Sequence, residues 1–492
     1  MLRSLLRLKE FVVPYWRWLG VGVLAFLIAR IFEGYIPWFL KEGIDRLDAV
    51  VKGEPFDVAM LYLPITGIIG AVIARYIVVT FARFSVRKTS LHVAFDLRQR
   101  LFGRLQVQGS RFFNEHSIGD MMTRAVADIS LIQRLISLGT ILLVILVFAS
   151  LVGFGFMLYM APKLTLLLLP PMPFIFYYAL WSTRQMGVAS RAVQDGLSDL
   201  SDQVQENLSG IRTIQAMVQE DNEIRRFSHF NHSYADAFFR QERISSLMAS
   251  VMPSLAQICS ITIIGFGGFM VVNEELTVGE LVAFIFYVNM VVQPFRVAGF
   301  MVNLFQRAAV ASDRLFDVLH LEPEVPDRPS GRTPATIHGS IELQNVHFGY
   351  PGTTAGALRG ISLTIPAGES ITLMGPVGAG KTTLLKLLVR LLEPADDSVL
   401  IDGHPVADYP LRQLRQQVAL VPQDPFLFAQ TLGSNLTYDD PSRSPGAVWS
   451  AAKAADLKDT IERFPDALET LVGERGVTLS GGQKQRATLA RG

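Results

Sequence analysis

The chain has 492 residues, of which 50% are hydrophobic and only 18% charged, against about 25% charged in an average soluble domain. Its mean hydropathy of +0.32 excludes a disordered chain, a collagen and a coiled-coil rod, and argues against a wholly soluble enzyme. Lys plus Arg number 45 and Asp plus Glu 44, for a net charge of +1, so there is no general basic footprint for nucleic acid.

The N-terminus, MLRSLLRLKEFVVPYWRW, is basic but has no long apolar core and no cleavage-site pattern. It is read as neither a cleaved signal peptide nor a transit peptide. A bilayer-spanning helix needs about 20 mostly apolar residues. Six stretches meet this: 15–40, 59–81, 135–160, 163–182, 247–272 and 281–306. The segments between them are unequal. Arginines crowd 83–134 and 183–246, whereas the short connections near 161–163 and 273–280 carry only Lys163 between them. Positive residues stay inside, so both long segments, the N-terminus and everything after residue 307 are expected in the cytoplasm. HVAFDLRQRLFGRLQ (92–106) and VQDGLSDLSDQVQENLSGIRTI (193–214) carry apolar residues at helical spacing. They predict membrane helices extended as cytoplasmic rods, turning near 111–117 and 214–220.

Polar residues fall within these spans. Arg30 and Glu33 are one helical turn apart, Arg75 lies in the second span, and Gln257, Asn289, Gln293, Arg296 and Gln306 mark the last two. Such groups face a cavity, pair or snorkel, and the sequence leaves these alternatives open. Pro170, Pro171, Pro173, Pro253 and Pro294 are kink sites. Cys259, the single cysteine, lies in an apolar run and reads as a small buried hydrophobe.

The stretch 321–340, rich in Pro, Gly and charge, reads as a linker. After it SIELQNVHFGY, ALRGISLTIPAG and ESITLMG look like strands and KTTLLKLLVRLL like a helix. A soluble α/β domain follows from this pattern.

GPVGAGKTT spans Gly375, Pro376, Val377, Gly378, Ala379, Gly380, Lys381, Thr382 and Thr383, between the apolar run Ile371 to Met374 and that helix. Glycines let the backbone curl so that successive N–H groups face phosphate oxygens. Lys381 supplies charge to the β- and γ-phosphates, and Thr382 a hydroxyl to Mg²⁺. LSGGQ (479–483) places Ser480 where it can cap a helix, and Gly481 and Gly482 leave N–H groups uncovered. Read alone, it is either a helix cap or an anion site.

With both motifs the chain resembles an ABC transporter of the exporter type, a multidrug-resistance-like half-transporter. The resemblance covers nearly the whole chain. FFNEHSIGDMMTR (112–124) and NLSGIRTIQAMVQEDNEIRRF (207–227) are similar to the family's two coupling segments, LTVGELVAF (276–284) to the start of the sixth span, and GERGVTLSGGQKQR (473–486) to the signature region. The implied organisation is a six-helix transmembrane domain over 1–316, a linker over 317–339, and an α/β P-loop nucleotide-binding domain over 340–492. The resemblance further implies that Tyr350 stacks on adenine and that Gln423 contacts the metal and γ-phosphate. It places Glu474 and Arg475 in a loop against the coupling segments. Ser480, Gly481, Gly482 and Gln483 would face the ATP held by a second chain. The alternatives are a strand-end aromatic for Tyr350, an exposed amide for Gln423 and a solvated pair for Glu474 and Arg475.

The family's Walker B acid, catalytic glutamate and switch histidine follow the helix that LSGGQ opens, where this sequence stops at Gly492. The expectation is therefore an incomplete domain with a strand missing from its sheet, and no general base is assigned. The implied function is ATP-driven export of a hydrophobic or amphipathic molecule, multidrug or lipid-like, by a homodimer or heterodimer in a bacterial inner membrane, with ATP and Mg²⁺ bound. The alternatives are a non-hydrolysing subunit that needs a complete partner, or a remnant.

Overall fold

A computed structural model describes residues 2–53, 55, 57–168, 171–294, 298–327, 336–350, 356–394, 396–473 and 479–492. They form two compact units. One comprises Met1–Gln106 and Ile118–Leu321, the other Val107–Ser117 and Glu322–Gly492.

The first unit is helical wherever the six apolar stretches are described. Its main helices are α1 (Trp16–Val51), α2 (Ala59–Gln106), then, past the short α3 (Ser110–Glu115) of the other unit, α4 (Thr140–Met160), α5 (Pro171–Ser209), α6 (Glu220–Thr262), α7 (Val278–Val292) and α8 (Ala298–Leu319). Among the described residues, three continuous helices are long and apolar enough to cross a membrane: Arg3–Val51, Ala59–Gln106 and Ile118–Met160. Shorter apolar helices cover Gln257–Val272 and Val278–Val292. The fourth predicted span includes residues 169–170, and the sixth residues 295–297, which lie outside the described residues. At 48 residues, α2 is about 72 Å long, well beyond a bilayer core. The expected turns exist: α3 ends at Glu115, and a break at 217–219 follows the helix Ile211–Ala216.

Small residues let these helices approach closely. A Cβ at Gly34 would lie 2.5 Å from the Phe156 ring, and one at Gly153 would lie 2.7 Å from Val291. This is the packing that operates where the solvent is as apolar as the side chains. Two polar contacts help to fix the packing. The Tyr287 hydroxyl donates to Gly34 O at 2.7 Å. Thr277 and Glu280 form a reciprocal capping box at the start of α7, satisfying N–H groups that the first turn leaves orphaned. Cys259 is fully buried among Met157, Ile263, Phe284 and Tyr287, the apolar setting the sequence reading gives it.

The second unit is built on an antiparallel sheet, in the order β2-β1-β3-β4. Its strands are β1 (Ile341–Phe348), β2 (Leu358–Ile365), β3 (Val399–Ile401) and β4 (His404–Pro405). Ile341 pairs with Ile365 on one side and Ile401 on the other. Helix α9 (Lys381–Leu388) drops Leu384 and Leu387 into the core against Leu343, Val346, Val399 and Tyr409. Helix α10 (Leu411–Gln417) closes it with Leu414. A second core gathers Leu432, Val448, Leu457, Ile461, Leu479, Ala487 and Ala490, the last two on α11 (Gly481–Arg491).

One expectation is corrected. ESITLMG forms no strand, so no strand leads into the phosphate loop. An extended segment becomes a strand only when a neighbour supplies its N–H and C=O partners. Among the described residues none does so for 371–374, and Ile371 and Met374 stand 46% and 90% exposed. Val418–Val421 is likewise unpaired.

Asp402 ties the linker's end to the sheet. It adopts φ +50, and its carboxylate accepts from the amides of His338, Gly339 and Ser340 at 2.6, 3.0 and 2.9 Å. Burial pushes the carboxyl up, but these amides and the Ser340 hydroxyl outweigh it and hold it below the usual aspartate range. Its stabilisation is complete above the unfolded value of about 3.9 and is lost as pH falls through the lower native value. In thermal melts of the full chain, Asp402→Ala should start lower at pH 7 and lose less than wild type between pH 7 and about pH 3. Equal losses would show that this carboxylate carries no such linkage.

Candidate nucleotide site

The phosphate loop sits between β2 and α9. Gly378 and Gly380 both adopt φ +85, the left-handed region that glycine enters without steric cost. At Gly380 space forbids anything else as well. A Cβ would lie 2.6 Å from Ala357 O and 2.7 Å from Leu358 Cδ2. The loop thus curls directly under the start of β2 and delivers Lys381 as the first residue of a helix. The Lys381 ammonium turns back across the loop and donates to Gly375 O at 2.6 Å and Pro376 O at 2.9 Å. Its positive charge is therefore held against two loop carbonyls, which a phosphate oxygen can replace. Pro376, Val377, Gly378 and Ala379 are exposed, and so is Thr382.

Thr383 points the other way and is buried. Its hydroxyl shares a hydrogen bond of 3.1 Å with the Tyr350 hydroxyl. Tyr350 lies just past the end of β1, edge-on to Phe348 at 5.2 Å, and is 36% exposed. The structure therefore joins Tyr350 to the phosphate-loop helix. Gln423 lies on a separate exposed loop. No three His, Cys, Asp or Glu residues cluster as metal ligands among the described residues. Thr382 and Gln423 are both exposed, and a hydroxyl and an amide oxygen are hard donors of the kind that magnesium accepts.

Ser480 caps α11. Gln483 N donates to Ser480 Oγ at 3.3 Å and Ser480 N to Gln483 Oε1 at 2.9 Å. Leu479, Ala487 and Ala490 anchor the helix in the second core. Among the described residues and apart from the helix's own backbone, a Cβ at Gly481 would meet nothing within 4 Å, and one at Gly482 only Arg486 at 4.0 Å. The cap and an open, donor-bearing face thus coexist. Glu474 and Arg475 lie outside the described residues.

In the membrane unit Arg30 and Glu33 do pair, and Arg75 joins them, 3.1 Å from Glu33. Asn289 is spent on its own helix, donating to Ile285 O at 3.0 Å. Gln257, Gln293 and Gln306 are exposed. Arg296 and Pro170 lie outside the described residues.

Sequence reasoning missed two groups. Glu324 accepts from Phe112 N at 2.7 Å and Arg111 N at 3.3 Å. Arg390, fully buried, donates to Ala407 O, Tyr409 O and Pro326 O at 3.1, 3.2 and 2.9 Å. The one local signal was Gly109, which opens α3 without a capping side chain of its own.

The family description "ABC transporter transmembrane region" matches residues 19–295, and "ABC transporter" matches 358–492. The chain belongs to the ABC transporter family. It fuses the membrane region and the ATP-binding region in one chain, the exporter arrangement. Similar proteins include the uncharacterized ABC transporter ATP-binding protein YknU of Bacillus subtilis, 30% identical over 99% of this chain and 82% of that protein. The probable multidrug resistance ABC transporter ATP-binding/permease protein YheI of the same organism is 30% identical over 100% and 83%. The ATP-dependent lipid A-core flippase of Chromobacterium violaceum is 30% identical over 99% and 82%.

Gly380→Ala should cost at least tenfold in ATP affinity, since it combines a left-handed backbone with a clash against backbone. Titration with a fluorescent ATP analogue reads this directly. Unchanged affinity would mean that the loop does not hold the triphosphate in this shape.

Proposed function

We propose that the chain binds Mg-ATP and uses it to export a hydrophobic or amphipathic molecule across a bacterial inner membrane, as one half of a dimer. The observation that carries the reading is the Lys381 ammonium folded back onto the carbonyls of its own glycine-rich loop in a chain whose first unit is built of long apolar helices. Lys381 and the loop N–H groups neutralise the phosphates. Thr382 and Gln423 would hold Mg²⁺, which would supply positive charge to the phosphates. Tyr350 offers its ring to the base. The open amides behind Ser480, with Gly481, Gly482 and Gln483, meet the ATP carried by the second chain, so nucleotide joins the two copies and its loss frees them.

The membrane unit supports association with a partner. The hairpin of α5 and α6 exposes Leu208, Ile224 and Phe239 and carries an open apolar cavity of about 580 Å³ lined by Leu200, Val204, Leu208 and Phe227. Exposed apolar area of this kind marks an interaction surface. The segments 111–117 and 214–220 would pass the movement of the ATP-binding region to the spans, with that region and the N-terminus in the cytoplasm. Relatives described as multidrug and lipid A-core transporters support an amphipathic cargo.

The test is uptake of a hydrophobic fluorescent dye into inside-out vesicles containing the full chain. ATP should drive accumulation, and Lys381→Ala should abolish it while lowering ATP affinity at least tenfold, as expected when a buried or phosphate-facing charge partner is removed. ATP binding undiminished by Lys381→Ala would overturn the reading.

A further inference from the structure

We propose that Glu324 is a positioning residue, which links the phosphate-loop helix to the segment 110–117 through a six-residue strap, Glu322–Asp327. The proposal rests on the nucleotide-binding reading and adds a route by which occupancy of the loop is conveyed.

Each joint of the strap is a specific bond. At one end, the Glu324 carboxylate accepts from the second and third amides of α3, Arg111 N and Phe112 N. A carboxylate there is favoured twice, by the orphaned donors and by charge on the donor side of a helix. The approach is so close that a Cβ on Gly109 would lie 2.1 Å from Glu324 Oε2, so a larger residue at 109 would have to displace this carboxylate. In the middle, Pro326 O accepts from Arg390. At the far end, Asp327 Oδ1 accepts from Leu411 N at 3.1 Å, the first amide of α10.

Arg390 lies two residues past α9, which Lys381 opens. It adopts φ +48, is fully buried, and pairs with Glu393 at 3.1 Å. Arg415, from α10, donates to Arg390 O at 2.6 Å and Val389 O at 3.3 Å. The end of α9 is therefore clamped from three directions, and a guanidinium so held has no slack. An eight-residue helix is about 12 Å long, and its Leu384 and Leu387 sit in a close-packed core. A tilt imposed at Lys381 thus displaces Arg390, Arg390 displaces Pro326, and Glu324 shifts α3, which continues without interruption of the chain into α2 on one side.

Hydrogen exchange on the full chain in detergent tests this with wild type, Glu324→Ala and Glu324→Gln. Without nucleotide, Glu324→Ala should speed exchange at 110–115 about tenfold, the scale of a lost charged hydrogen bond, and should also speed it at the remote helix 411–417. Glu324→Gln keeps an acceptor oxygen and should restore both. With Mg-ATP, wild type should slow exchange at 376–383 and alter it at 110–115. Glu324→Ala should keep the first response and lose the second. Unchanged exchange at 411–417 in Glu324→Ala would overturn the proposal and reduce Glu324 to a local cap. So would a response at 110–115 that survives the substitution, or one missing from a wild type whose loop is protected. Absence of ATP protection at 376–383 in wild type would strike the nucleotide reading instead, and the nucleotide-free comparison would still decide the strap.

Discussion

A triphosphate can be held only by donors that water has not already satisfied and that need no rearrangement to face it. In the proposed site those donors are the loop amides and the Lys381 ammonium, and the loop's shape is fixed where Gly380 is wedged beneath the start of β2 and α9 packs Leu384 and Leu387 into the core. The wedge and the packing are the same constraint seen from two sides. If either loosens, the amides scatter and Lys381 becomes an ordinary surface lysine.

Much of this was legible in sequence because it is local. The phosphate loop is nine consecutive residues, the cap of α11 is Ser480 and its third neighbour, and the ion pair of Arg30 and Glu33 is a single helical turn. Such features depend on backbone geometry over a few positions. The strand expected at 371–374 failed for the opposite reason, since strand formation depends on a partner elsewhere in the chain. The contact between Glu324 and Phe112 spans 212 positions, and nothing near either residue announces it. The same holds for Arg75, whose approach to Glu33 follows from how α1 and α2 pack.

The membrane unit obeys a different economy of forces. Its helices gain little from burying apolar atoms against each other, because lipid offers the same environment. Close approach at Gly34 and Gly153, and the bond from Tyr287 to Gly34 O, supply the specificity instead. The α5–α6 hairpin leaves Leu208 69% and Phe239 71% exposed.

In the proposed dimer, nucleotide is shared between the loop of one chain and the capped helix of another. Val377, at the exposed tip of the loop, and Ser480 offer positions for paired cysteines in a background with the buried Cys259 replaced by alanine. In the Val377→Cys, Ser480→Cys chain, Mg-ATP should convert monomer to a disulfide-linked dimer on a non-reducing gel, with little dimer in its absence. A dimer yield indifferent to Mg-ATP would contradict the account.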